Sequence, residues 1–125
     1  MARPTKEETQ ERIEFMQSIA DCAKSPSKFS DIFLGHKLFD YNVKYVDCQD
    51  RFIVYRSGRQ VGKTMSTAAK AVHFAFFAPL MLKTVKHECT IVIAAPTQNQ
   101  ATIMFDRIRS LVINSSFLKG YIVRN

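Results

Sequence analysis

Eight consecutive residues bring together the groups that phosphate binding needs: Ser57-Gly58-Arg59-Gln60-Val61-Gly62-Lys63-Thr64. A loop that curls around phosphates must turn backbone N–H groups inward, and glycines permit the backbone angles this requires. Lys63 would reach the β- and γ-phosphates, and the Thr64 hydroxyl would ligate Mg²⁺. The usual spacing is G-x-x-x-x-G-K-[ST]. Its first glycine falls here on Ser57, with glycine one place later at Gly58. Arg59 puts a second cation inside the loop. The triplet Gly62-Lys63-Thr64 also fits the ordinary start of a helix with a solvated lysine, so the flanking elements carry the argument.

Those elements must be a strand that delivers the loop and a helix that opens from it. Phe52 to Tyr55 is a short apolar run that suits a strand buried on both faces. Met65 to about Phe77 reads as helix, with Met65, Ala68, Ala69, Val72 and Phe76 on one face and Pro79 closing it. The N-terminus of such a helix attracts anions. Thr90 to Ala95 predicts a second strand stopped by Pro96. Thr97 then caps a helix from Gln98 to about Asn114 whose inner face is Ala101, Met104, Ile108, Leu111 and Val112. Tyr121-Ile122-Val123 resembles the start of a further strand. Upstream, Thr5 and Glu8 form a capping box for an amphipathic helix carrying Ile13, Met16, Ile19, Ala20 and Ala23. Residues 1–25 are assigned to that helix. A short segment through Phe29 and Leu34 ends at Gly35, and a third helix is expected from Leu38 through Val46. Alternating strands and helices predict a three-layer α/β fold of the P-loop NTPase kind with a mainly parallel sheet, and residues 26–125 its front half.

Composition narrows the partners. The 125 residues carry a net charge of +7, which favours polyanions such as nucleotide or nucleic acid. Cys22, Cys48 and Cys89 show neither disulfide nor zinc spacing, and His36, His73 and His87 have no metal spacing either. The apolar stretch from Ala68 to Leu82 is broken by Lys70, His73 and Pro79, too short and interrupted to span a bilayer. The N-terminus lacks an apolar signal core, so a soluble cytoplasmic protein is expected. Hydrolysis would need an Asp at the end of an apolar strand and a neighbouring Glu. None of the eleven acidic residues follows a run of four apolar residues, so the chain reads as cut off before its Walker B strand, or as a binder without turnover.

Taken in order, these segments resemble the large terminase subunit of tailed double-stranded DNA viruses. Gly58 to Thr64 is similar to that family's variant Walker A loop with its internal arginine. Ile91 to Ala101, with its Pro96-Thr97 turn, and Phe105 to Arg109 continue the similarity. Phe29 to Gly35 and Leu38-Phe39-Asp40-Tyr41 resemble the lead-in to its adenine-binding motif, with Asn42 where a glutamine is expected. The resemblance implies an ATP-binding part of a DNA-packaging motor, in the host cytoplasm, with ATP and Mg²⁺ as ligands. Ser57 to Thr64 would hold the nucleotide, and Tyr41 and Asn42 would lie at the adenine. Lys63 and Arg59 would serve catalysis, Arg59 as an arginine finger on the γ-phosphate, and Thr64 would bind the metal. Double-stranded DNA, a portal protein and a small terminase subunit are the implied partners. A helicase-like translocase and a non-catalytic nucleotide-binding protein are the alternatives.

Overall fold

The computed structural model describes residues 2–59, 62–81 and 90–121. Among these residues five α-helices follow one another: α1 (Lys6–Lys24), α2 (Pro26–Ile32), α3 (Asp40–Asp47), α4 (Lys63–Met81) and α5 (Gln98–Asn114). A 3₁₀ turn follows at Lys119–Tyr121. Helix α4 is central, packing against α2, α3 and α5.

Local chemistry sets several of the ends. The Thr5 hydroxyl accepts from the Glu8 N–H at 3.2 Å while the Glu8 carboxylate accepts from the Thr5 N–H at 2.8 Å, the expected capping box of α1. Thr97 caps α5 by accepting from the Gln100 N–H at 3.3 Å. Helix α2 opens with Pro26 in its first turn, but its N-cap Ser25 makes no side-chain cap bond. Asp47, at the far end of α3, supplies the acceptor instead. Its carboxylate takes the Ser27 N–H at 2.9 Å and the Ser27 hydroxyl at 2.7 Å. In return, the C-terminal end of α3 is held from α4: the Lys70 ammonium donates to the carbonyls of Val46 at 2.8 Å and Cys48 at 2.6 Å.

The core is aromatic. Phe29 of α2 is fully buried. It meets Phe33 at 5.5 Å, Phe76 at 5.9 Å, and Phe77 and His73 edge-on at 5.4 Å. Ala68, Ala69 and Val72 of α4 and Leu111 of α5 close the same core, with Met104, Ile108 and Val112 beside them on the anticipated face of α5. Ser115 ties the end of α5 back by donating to the Phe33 carbonyl at 2.6 Å.

The structure corrects the α/β expectation: among the described residues there is no strand and no sheet. Residues 53–58 and 91–95 follow no regular secondary structure, and no described residue shares a backbone ladder with them. A strand exists only through its partner's hydrogen bonds. Nor is Phe52 to Tyr55 buried on both faces. Phe52, Ile53 and Val54 are 83%, 38% and 88% exposed, and Tyr55 is half-buried. Val92 is likewise 83% exposed, and Ile91 and Ile93 line a groove over Val72 of α4 and Ile108 of α5. Tyr121 ends the 3₁₀ turn, and Ile122 and Val123 lie outside the described residues. Other boundaries shift. Helix α3 starts at Asp40 rather than Leu38, and α4 runs past Pro79 to Met81. Ile13 and Met16 are exposed, and the side of α1 that meets the rest of the molecule carries Phe15, against Phe33 and Phe117, with Ile19, Cys22 and Ala23 further on.

His73 joins the core to α1. Its Nε2–H donates to the Cys22 carbonyl at 2.8 Å, and its ring lies 4.8 Å from that of Phe77. Burial pushes its pKa below the ordinary histidine value, with the Cys22 and Ala23 carbonyls acting in the opposite direction. The unfolded chain therefore takes up this proton first as pH falls. Stability from a neutral His73 is complete above about pH 6.5 and is lost as pH drops from there towards the folded-state pKa. Thermal melts from about pH 8 to about pH 5 should show this decline, and His73→Gln should flatten the part between about 6.5 and 5.

Candidate phosphate-binding loop

The loop opens where the extended segment leaves Tyr55 and closes on the first turn of α4. Ser57, Gly58 and Arg59 are exposed, and Gln60 and Val61 lie outside the described residues. Gly62 has φ +79°, a conformation L side chains rarely adopt. The space beside it is also tight. A Cβ would stand 3.1 Å from the Asn42 amide nitrogen and 3.4 Å from Cδ2 of Phe39. Lys63 is the first residue of α4, and its ammonium folds back to donate to the Ser57 carbonyl at 2.9 Å. That bond spans the neck of the loop.

A 19-residue helix thus begins directly behind a left-handed glycine. Its first N–H groups have no partner within the helix, and its first turn contains no acidic residue. These features create a positive pole beside Lys63. Thr64 is exposed next to it, so its hydroxyl is accessible to a ligand-bound cation. The remaining ligands of a hard cation such as Mg²⁺ come from phosphate and water, so one protein hydroxyl fits that donor set. Among the described residues, no cluster of three His, Cys, Asp or Glu could hold a metal by itself.

Beneath the loop lies a polar and aromatic brace. Asn42 of α3 is 1% exposed, and its Oδ1 accepts a hydrogen bond from the Tyr55 hydroxyl. The Tyr55 ring stacks on Tyr45 at 4.3 Å with 6° between planes. Tyr45 in turn shares a 3.0 Å hydrogen bond with Thr67 of α4, and the Lys70 ammonium lies 5.9 Å above its ring. Burial lowers the Lys70 pKa, an effect opposed by Cys48 and Asp47. The chain entering the loop, the helix before it and the helix after it are therefore cross-linked within one short span. On the outer side, Phe39 and Tyr41 stack at 5.3 Å and 10°, 59% and 56% exposed.

The sequence-derived site residues divide accordingly. Ser57, Gly62 and Lys63 meet at the loop neck, and Thr64 and Arg59 are exposed beside it. Tyr41 is accessible and Asn42 is buried. Tyr55, Tyr45 and Phe39 join the site through contacts that the motif does not specify. Phe39 and Tyr41, two residues apart at the start of α3, were the signal available for the outer pair. Comparison with protein-family profiles, with curated proteins and with solved structures finds no match.

Tyr55→Phe should preserve the ring stack but leave the buried Asn42 oxygen without the hydroxyl donor. A loss of about 0.5–1.5 kcal/mol, that of one hydrogen bond, is expected in urea unfolding. Tyr45→Phe, whose hydroxyl is matched by another hydroxyl, should cost less.

Proposed function

We propose that the Ser57–Thr64 loop binds the triphosphate of a nucleoside triphosphate, ATP with Mg²⁺, and that the chain is the nucleotide-binding part of a nucleic-acid-handling machine. Within the terminase resemblance this is the ATP-binding part of a viral DNA-packaging motor. The observation that carries the reading is the conjunction at Gly62 and Lys63. A left-handed glycine, favoured by its angle and by the tight space beside it, leads into a long helix whose first side chain is a lysine already turned over the loop. Backbone N–H groups at the helix start would hold phosphate oxygens. Lys63 would exchange the Ser57 carbonyl for a phosphate, a charge-assisted and stronger partner. The Thr64 hydroxyl would ligate Mg²⁺. Arg59, exposed on the loop, would face the γ-phosphate, where a second cation counters charge that spreads in the transition state.

The net charge of +7 supports a polyanionic partner, and double-stranded DNA is the one the resemblance names, together with a portal protein and a small terminase subunit. No helix among the described residues is long and apolar enough to cross a membrane.

Titration calorimetry with Mg-ATP tests the loop. Lys63→Ala should weaken binding by about tenfold or more, because a direct phosphate contact is lost. Equal affinity in wild type and variant would overturn the proposal. Arg59→Ala should change ground-state affinity by less than about threefold, since its role lies in the transition state. A large loss of affinity would make Arg59 a phosphate anchor instead.

A further inference from the structure

Two ties between described residues cross the neck of the loop, and phosphate binding removes one of them. The first is the bond from the Lys63 ammonium to the Ser57 carbonyl at 2.9 Å. When Lys63 leaves that carbonyl for a phosphate oxygen, the loop loses an anchor at the moment its N–H groups have to converge. The second tie uses no group that a phosphate would claim. The Tyr55 ring, just before the loop, lies on the Tyr45 ring with centroids 4.3 Å apart and 6° between planes. Tyr45 stands on α3 and shares a 3.0 Å hydrogen bond with Thr67, about one helical turn beyond Lys63 on α4. Lys70 of α4 also holds the end of α3, through the Val46 and Cys48 carbonyls. The chain entering the loop is thus referred to the helix leaving it by aromatic surface and a hydroxyl pair.

Resting on the phosphate-loop reading, we propose that Tyr45 is a positioning residue for the bound state: its stack with Tyr55 keeps the entrance of the loop against α4 after Lys63 has turned to phosphate. Tyr45 acts through Tyr55 and not on the ligand. It raises the fraction of molecules whose loop is already shaped for phosphate, and apparent affinity follows that fraction. The ring is the working part, because its hydroxyl only supplements a junction between α3 and α4 that Lys70 also holds. The effect belongs to the phosphate end of the ligand and is the same with or without a base.

Calorimetry with two probes, ATP and inorganic tripolyphosphate, each with Mg²⁺, reads this role. Tyr45→Leu should weaken both by one common factor, about tenfold if about a tenth of the loops stay preshaped. Tyr45→Phe keeps the ring and should bind both within about threefold of wild type. Ile108→Val, on the core side of α5, controls for lost stability. It should lower the melting temperature and leave both affinities unchanged. A second readout needs only the wild type and the conservative variant. The chain has no tryptophan, so near-UV circular dichroism in the tyrosine band reports the stacked pair. The component that Tyr45→Phe removes should persist in the wild type at saturating tripolyphosphate. Its disappearance on saturation would show the stack opening as phosphate binds, and would overturn the proposal even if Tyr45→Leu fails to fold. Wild-type affinity in Tyr45→Leu, with Lys63→Ala still weakening binding, would also overturn it and leave the loop reading standing. A loss in Ile108→Val equal to that in Tyr45→Leu would reduce Tyr45 to an ordinary stabilising residue. If tripolyphosphate does not bind, or binds without regard to Lys63, the loop reading fails and this role fails with it.

Discussion

A phenylalanine with no exposed surface organises this molecule. Phe29 sits on a helix of only seven residues, too short to be stable alone, and four aromatic rings, Phe33 at the end of α2 and His73, Phe76 and Phe77 of α4, close on it. Burial of such a ring contributes roughly 1.5–3 kcal/mol, and each well-oriented aromatic pair adds to that. The effect is to fix α2 against the middle of α4. Everything that reaches the loop is then referred to α4: α3 through Lys70 and Tyr45, α1 through His73, and α5 through Val72 and its neighbours.

Polar groups do the finer alignment. Asp47 and Lys70 each work at a helix end that is not their own, one on the Ser27 N–H and hydroxyl at the start of α2 and the other on the carbonyls at the end of α3. A helix end buried without partners is costly, so these contacts restrict the angle between helices as well as stabilising them. Both charges lie within a single turn of the brace under the loop. The buried thiol of Cys22, its pKa raised by burial, takes no charged part in this arrangement.

Interactions short in sequence were legible beforehand. The capping box of Thr5 and Glu8, the Thr97 cap, the inner face of α5 and the glycine before Lys63 all follow from residues within a few positions of one another. Pairing was not legible. Phe52 to Tyr55 and Thr90 to Ala95 have the composition of strands, but composition cannot supply a partner, and the helices α4 and α5 meet each other directly. The contacts spanning about twenty residues, Asp47 to Ser27 and Lys70 to Cys48, carry no local pattern. Asn42 shows the same limit at the site. Its residue type suits base recognition, and only its burial beneath Tyr55 assigns it elsewhere.

The alternation along residues 52–55 has a consequence for handling the protein. Tyr55 is used by the fold, while Phe52 and Val54 present carbon to water on a segment whose main chain forms no ladder with any other described residue. Val92 does the same in the second extended segment. Sticky side chains and uncommitted amides on one ribbon make contact between molecules favourable in proportion to how crowded they are. Light scattering and melting temperature for this protein therefore belong to a stated concentration, and dilution is itself an experimental variable.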